Sequence, residues 1–137
     1  MSKSLLSLLN VSMGKFIQLK DYSEGETIVH KNGTKTYEKD IVSNLPNEDC
    51  ILITAMSIDI IFVEKENTKK HYASQGCFIL TLKDDSKETV LLKYLFYCFS
   101  AFKINELLKS KRTGSLQQSI SKSRLLDCLE SVGLTSV

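Results

Sequence analysis

Long hydrophobic runs and structure-breaking residues are scarce in this sequence of 137 residues, which has one proline, six glycines and no tryptophan. The longest apolar stretch, residues 90–102, contains Lys93 and Ser100 and is too short for a membrane span. No small-residue cleavage site follows the Leu-rich first ten residues, so a signal peptide is not expected. With 42% hydrophobic and 25% charged residues, the composition is typical of a folded globular protein. The length predicts a single domain over residues 1–137.

Close cysteine pairs are also missing, which argues against a zinc site. No C-x-x-C motif places two thiolates on one turn, and the two histidines lie in different segments. Apolar runs surround three of the four cysteines, so we expect mostly buried, reduced thiols in a reducing intracellular compartment. The cysteines are Cys50, Cys77, Cys98 and Cys128.

Enzyme motifs are not found either. The sequence has no glycine-rich phosphate loop and no G-x-S-x-G nucleophile turn. Its single proline excludes the Pro-Pro motif of methyltransferases that act on base amino groups. Asp84 and Asp85 are adjacent and therefore diverge, and the S-x-x-K match from Ser119 to Lys122 is too short to be specific. The sequence predicts no catalytic residue, no cofactor and no metal ligand.

Apolar periodicity predicts a mixed α+β domain. A Leu-rich helical turn opens the chain, and an amphipathic helix begins at Glu88, runs to Phe102 and continues over residues 104–108. Residues 21–27 are polar and predict a loop. The expected strands are residues 11–19, 28–29, Cys50–Thr54, residues 58–63, Cys77–Leu82 and a last one that includes Leu129, Val132 and Leu134.

Positive charge is concentrated in one segment. Residues 103–124 hold six cations and one acid, a net charge of +5, which leaves −3 for the rest of a chain whose total is +2. Within it, residues 109–122 combine cations, hydroxyls and amides around Gly114, and Ser121 can cap the helical turn that follows. Such groups bind phosphates and base edges, although a solvated surface loop has the same composition.

Aromatic residues divide into two groups. Five lie on the amphipathic helix, where their spacing predicts core packing in preference to a base-stacking platform: Tyr94, Phe96, Tyr97, Phe99 and Phe102. Three lie beside lysines in predicted loops and are better candidates for stacking on bases: Tyr22, Tyr37 and Tyr72.

An ordered series of segments resembles the target recognition domain of type I restriction–modification specificity subunits. The most specific part is Thr113-Gly-Ser-Leu-Gln-Gln-Ser-Ile-Ser-Lys-Ser-Arg-Leu125 together with Lys93-Tyr-Leu-Phe-Tyr97. Weaker matches cover residues 8–15, 28–33, 37–41, 51–54, 58–63 and 73–80. The family's central strand pair is joined by a glycine-rich turn, but this chain has Ala55-Met-Ser-Ile58 there. Family members also continue into a long conserved spacer helix, whereas this sequence ends at Val137.

The resemblance implies a compact α+β recognition domain without the spacer helix, in a single-domain, truncated homologue of viral or mobile-element type. The function it implies is duplex-DNA binding without catalysis, with a second copy of the chain or a DNA methyltransferase as protein partner and no membrane. The compartment it implies is the cytoplasm of a prokaryote or, for a viral protein, of an infected cell. Gln117 and Gln118 are suited to base edges, because glutamine pairs with adenine through two hydrogen bonds. The other candidate DNA-binding residues are Lys109, Lys111, Arg112, Ser115, Ser119, Lys122, Asn32, Lys35, Lys69 and Lys70. The alternative is a protein-interaction module that has lost sequence-specific DNA reading.

Overall fold

The computed structural model describes residues 2–33, 35–114 and 118–135. Its strands and helices alternate irregularly along the chain, which confirms the predicted mixed α+β class. The strands are β1 (Ser2–Ser4), β2 (Leu9–Met13), β3 (Glu24–His30), β4 (Thr36–Lys39), β5 (Cys50–Thr54), β6 (Ile60–Val63), β7 (His71–Ala73), β8 (Cys77–Leu82) and β9 (Gly133–Thr135). The helices are α1 (Leu5–Leu8), α2 (Leu92–Ala101), α3 (Ile104–Ser110) and α4 (Lys122–Ser131).

A four-stranded antiparallel sheet in the order β2-β8-β5-β6 forms the centre of the fold. Its register pairs Thr54 with Cys77 at one end and Cys50 with Val63 at the other. β5 and β8 are continuous apolar runs because both faces of the sheet are covered. Ile51, Ile53 and their neighbours on one face pack against the helices. Cys50, Leu52 and their neighbours on the other face form a smaller cluster with Ala73 of β7.

Two further sheets flank the central one. β3 lies between β4, its antiparallel partner, and β7, its parallel partner. Val29 and Tyr72 form a third apolar cluster on this sheet, together with Ile17. β1 and β9 pair antiparallel and bring the two termini together.

Helix positions follow from caps and apolar faces. The Ser4 hydroxyl accepts the backbone N–H of Ser7 at the start of α1. Ser121 caps α4 as the sequence predicts, with its hydroxyl accepting the N–H of Arg124 at 3.3 Å. Lys103 adopts a left-handed backbone, φ 54°, and separates α2 from α3. The buried faces of all four helices, which include Leu95, join the main core.

Five boundaries differ from the sequence prediction. Leu129, expected in the last strand, lies in α4, and the strand that follows is β9 (Gly133–Thr135). Residues 24–27, expected in a loop, begin β3, because pairing with Lys39 across an irregular register extends that strand. The strand expected over residues 11–19 is β2, which ends before Gly14. The strand expected over residues 58–63 begins two residues later, because Ile58 has a left-handed backbone, φ 54°. The helix expected from Glu88 begins at Leu92, after a 3₁₀ turn at Asp84–Ser86.

Candidate nucleic-acid interface

Three loops and the segment after α3 meet at one end of the central sheet, which we call the turn end. β5 and β3 run toward it, and β8 starts from it. The turn end comprises residues 30–33, 54–59, 74–77 and the described parts of 112–120. The opposite end of the sheet, which we call the far end, comprises residues 46–49, 64–70 and 83–88.

The β5–β6 turn is the centre of the turn end and is held by its own polar side chains. The hydroxyls of Thr54 and Ser57 lie 2.6 Å apart, and Ser57 donates to the Asp59 carboxylate at 2.9 Å. The Asp59 N–H in turn donates to the Thr54 hydroxyl at 3.0 Å. Ile58 takes the left-handed conformation that glycine usually supplies, at a cost of roughly 1–3 kcal/mol. Burial of the Ile58 side chain offsets that strain, since only 3% of it is exposed.

Asn32 joins the β3–β4 loop to this turn. Its backbone carbonyl accepts the N–H groups of Met56 at 2.9 Å and Ser57 at 3.3 Å. Gly76 permits the close approach, because a Cβ added there would lie 2.3 Å from Asn32 Cβ. Gly76 also has φ +81°, which other residues rarely adopt. The predicted DNA-binding residue Asn32 therefore positions the turn through its backbone and packs its side chain against Gly76.

Arg112 connects the basic segment, residues 109–122, to the same turn by a hydrogen bond. Its Nη1 donates to the Met56 carbonyl at 2.7 Å, and its Nε donates to the Lys109 carbonyl at 3.2 Å. The N–H of Ile120 donates to the Ala55 carbonyl at 2.9 Å. Arg112 was expected to contact phosphate. The structure commits two of its guanidinium donors to backbone carbonyls and leaves the remaining ones for a ligand.

The loop after Arg112 is closed by a pair of backbone hydrogen bonds between Thr113 and Ser119, at 2.9 and 3.0 Å. Ser119 is half-buried at this closure, and Gln118 beside it is exposed. Two of the predicted DNA-binding residues, Ser115 and Gln117, lie outside the described residues.

Three predicted phosphate ligands are exposed lysines close to the turn end. Lys109 is in the last turn of α3, Lys111 follows that helix, and Lys122 begins α4. Within residues 2–33, 35–114 and 118–135, none of these ammonium groups lies within 4 Å of a carboxylate. Their charges are therefore not neutralised by ion pairs in the described structure.

The remaining predicted lysines lie on two other segments of the chain. Lys35 is on the β3–β4 loop, with its ammonium 5.2 Å from the ring centre of Tyr37. Lys69 and Lys70 are exposed on a 3₁₀ turn (Lys65–Lys70) that follows β6 and precedes β7. That turn is at the far end, so the structure does not bring Lys69 and Lys70 to the other candidates.

The aromatic predictions are wrong at four positions. Tyr94, Tyr97 and Phe102, expected in the core, are 59%, 59% and 45% exposed, whereas Phe99 is buried as expected. The core covers one side of α2 only, so residues three positions apart on the other side, such as Tyr94 and Tyr97, are exposed. Tyr72, expected in a loop as a stacking residue, is buried in β7, and its hydroxyl donates to the Lys15 carbonyl.

His30 of the turn end forms a pair with His71, the first residue of β7, and this pair was not predicted. His30 Nε2 and His71 Nδ1 are 2.8 Å apart, and the rings stack with centres 5.1 Å apart. Burial, followed by the charge of His71, lowers the pKa of His30 to about 4. Burial and the Lys70 charge also lower the pKa of His71. Both imidazoles are therefore neutral at pH 7. His30 and His71 lie diagonally across the paired strands β3 and β7, so their proximity cannot be predicted without knowing that pairing.

The cysteines are buried and none forms a disulfide. Burial raises the pKa of the thiols of Cys50 and Cys77 to about 12, so both remain protonated. Across the described ranges, no group of three or more His, Cys, Asp or Glu residues is arranged to hold a metal ion. The helices of that same part of the chain include none that is long and apolar enough to cross a membrane.

Comparison with solved structures identifies the fold. Neither a protein-family model nor a curated protein sequence matches this chain. A crystal structure of the type I restriction–modification system S subunit from M. genitalium matches with a TM-score of 0.73 and 18% sequence identity. The match covers 97% of this chain and 33% of the S subunit, so this chain spans about a third of that protein. The resemblance to type I specificity subunits is thus confirmed for the fold: the chain folds like part of a type I restriction–modification S subunit.

Proposed function

We propose that residues 1–137 form a single, non-catalytic module that binds duplex DNA through the turn end. The fold supports this proposal, because the sequence resembles a target recognition domain and the structure matches part of a type I restriction–modification S subunit. The protein partner would be a second copy of the chain or a DNA methyltransferase, in a reducing intracellular compartment.

The proposal rests on one observation: the polar turns of the turn end lie beside exposed lysines that have no carboxylate partner among the described residues. Hydrogen bonds from Arg112 and Ile120 to the carbonyls of Met56 and Ala55 hold the basic segment against the β5–β6 turn. Lys109 and Lys122 extend from the two ends of that segment. Fixed backbone with exposed cations suits phosphate contacts, which set the register of a protein on DNA.

The number of free cations sets the expected strength of binding. Five phosphate contacts would give a slope of log affinity against log salt of roughly −4 to −5. Because Arg112 is partly committed to carbonyls, the three lysines alone give a slope of roughly −3. We therefore expect a modest, salt-sensitive binder that gains affinity as a dimer or with a partner.

Selection of the purified protein against random duplex DNA at two salt concentrations tests the proposal. An enriched motif is the expected result, and a palindromic motif would indicate a dimer. Folded protein that enriches no sequence and is not retained on heparin at moderate salt would overturn DNA binding.

A second candidate function, protein interaction, is favoured by the outer face of α2. Leu91, the N-cap of α2, and Tyr94 in its first turn are 74% and 59% exposed. Exposed apolar groups that lie together on one helix face are typical of protein contacts. Failure of DNA selection together with a partner lost on Tyr94→Ala would favour this function.

A further inference from the structure

A groove beside the β5–β6 turn has the shape and chemistry of a small-molecule site. It lies between β6, an edge strand of the central sheet, and the helices α2 and α3. Its volume is about 440 Å³, within the range of roughly 300–1,000 Å³ that is usual for ligand pockets. The residues that line it include Asp59, Phe96, Tyr97, Ser100, Asn105 and Lys109.

One wall of the groove is an aromatic ring that is both exposed and supported. Tyr97 is 59% exposed, yet its ring packs against Phe96 with centres 6.0 Å apart. Phe96 in turn packs against Phe62 of β6 at 5.7 Å. An open π face held by neighbouring rings suits stacking with another planar ring, which is how proteins bind unpaired bases.

The polar lining is suited to a phosphate and to base edges. Lys109 supplies an ammonium, Asn105 an amide and Ser100 a hydroxyl, all from the helix side. Within the described part of the chain, these three side chains make no hydrogen bond. Asp59 lies on the opposite wall, and its carboxylate would direct an anionic group toward Lys109.

The groove also opens next to the DNA-binding surface proposed above. Asp59 belongs to the β5–β6 turn, and the Lys109 carbonyl accepts a hydrogen bond from Arg112. A nucleotide that leaves a duplex bound at the turn end would therefore meet the groove without crossing the protein surface.

We propose that this groove binds a single nucleotide, with its base stacked on Tyr97 and its phosphate at Lys109. The inference deepens the proposed DNA-binding function and rests on it for the source of the nucleotide. An unpaired nucleotide of DNA and a free mononucleotide have the same recognised chemistry, so the experiment uses both.

An NMR titration with the four deoxynucleoside 5′-monophosphates tests the groove itself. We expect shifts at Tyr97, Ser100 and Asn105, and at least about fivefold weaker binding for Tyr97→Ala, the lower bound for loss of one base stack. Tyr97→Phe should retain the affinity. Tyr94→Ala is the matched control, because Tyr94 is equally exposed on the same helix and does not line the groove.

The phosphate is tested separately. Lys109→Gln should weaken mononucleotide binding. The loss of affinity should be about as large as the loss that the wild type shows when the phosphate is removed from the ligand. Lys93→Gln, an exposed lysine of α2 outside the groove, should change nothing. Absence of groove shifts at about 10 mM nucleotide, enough to fill a millimolar site, would overturn the inference. Equal effects of Tyr94→Ala and Tyr97→Ala would also overturn it.

A second titration separates this inference from the proposed function. A duplex with one unpaired nucleotide should bind more tightly than the fully paired duplex, and Tyr97→Ala should abolish that preference. Mononucleotide binding without such a preference would assign the groove to free nucleotides. Duplex binding with no groove shifts from any mononucleotide or from the duplex with the unpaired nucleotide would overturn the groove alone. Groove binding with no affinity for any duplex would overturn the DNA function alone.

Discussion

The two ends of the central sheet use their charges in opposite ways. At the far end, five cations lie among seven acids, and Lys87 pairs with Asp84 at 2.9 Å and with Glu48 at 3.5 Å. At the turn end, Arg112 donates to carbonyls, and the ammonium groups of Lys109 and Lys122 have no carboxylate within 4 Å in the described residues. The charge of a cation is neutralised by an acid that pairs with it. A cation on a fixed backbone without such a partner can attract an anionic ligand. The comparison indicates which end is suited to a polyanion.

The largest effect should come from reversing the charge of the turn end. Replacing Lys109, Lys111 and Lys122 with glutamate should lower duplex-DNA affinity by about a hundredfold or more, because three phosphate contacts are lost. The matched control reverses three lysines of the far end, Lys65, Lys69 and Lys70, and has the same net charge. Fluorescence anisotropy at fixed salt measures both. Equal losses in the two variants would show that only net charge matters, and the comparison of the two ends would fail.

Acid should destabilise the turn end before the far end. The pKa of His30 is about 4 in the folded chain and 6.5 when unfolded, so the unfolded state takes up the proton first. The contribution of His30 to the free energy of unfolding should be fully present above pH 6.5. It should fall by about 3 kcal/mol as the pH drops to 4. At the far end, hydrogen bonding to Lys87 lowers the pKa of Asp84. The contribution of Asp84 to stability is therefore present above the ordinary pKa of an aspartate and is lost only at lower pH.

Urea unfolding between pH 7 and pH 4 measures this dependence. His30→Gln should flatten the profile over that interval, since the titrating group is removed. A wild-type stability that stays constant down to pH 4.5 would contradict the buried, neutral state of His30.

The backbone of the turn end should tolerate less change than its surface. Gly76→Ala should cost about 2–3 kcal/mol, because the added Cβ meets Asn32 and the positive φ is strained. Gly33→Ala is the control from the same end, since a Cβ there meets nothing within 4 Å. Thermal or urea unfolding compares the two variants. If the two variants were equally stable, the close contact between Asn32 and Gly76 would not contribute to the stability of the fold.

The sequence predicts the parts of the fold that depend on continuous patterns. β5 and β8 are unbroken apolar runs because both of their faces are buried, and the buried stripe of α2 follows helical spacing. The turn end has no such pattern. Asn32, Met56, Gly76 and Arg112 are far apart in the chain and meet through backbone carbonyls, which every residue possesses. The groove at Tyr97 was missed for a related reason, because the same helical spacing fits a buried ring and an exposed one.

The smallest effect should separate the two roles of Arg112. Arg112→Met removes the donors to the Met56 and Lys109 carbonyls and should cost about 1–2 kcal/mol of unfolding free energy. Lys111→Met removes the same charge from the neighbouring exposed position, where the structure assigns the ammonium no partner among the described residues, and should leave stability within about 0.5 kcal/mol. If Arg112 acts mainly as a tether, its loss weakens DNA binding by displacing the segment, and the salt slope stays close to that of the wild type. If it acts mainly as a phosphate ligand, stability is unchanged and the slope falls by about 0.9. Unfolding and salt titration of both variants therefore distinguish a residue that builds the turn end from one that contacts DNA, and the two hydrogen bonds of Arg112 favour the first outcome.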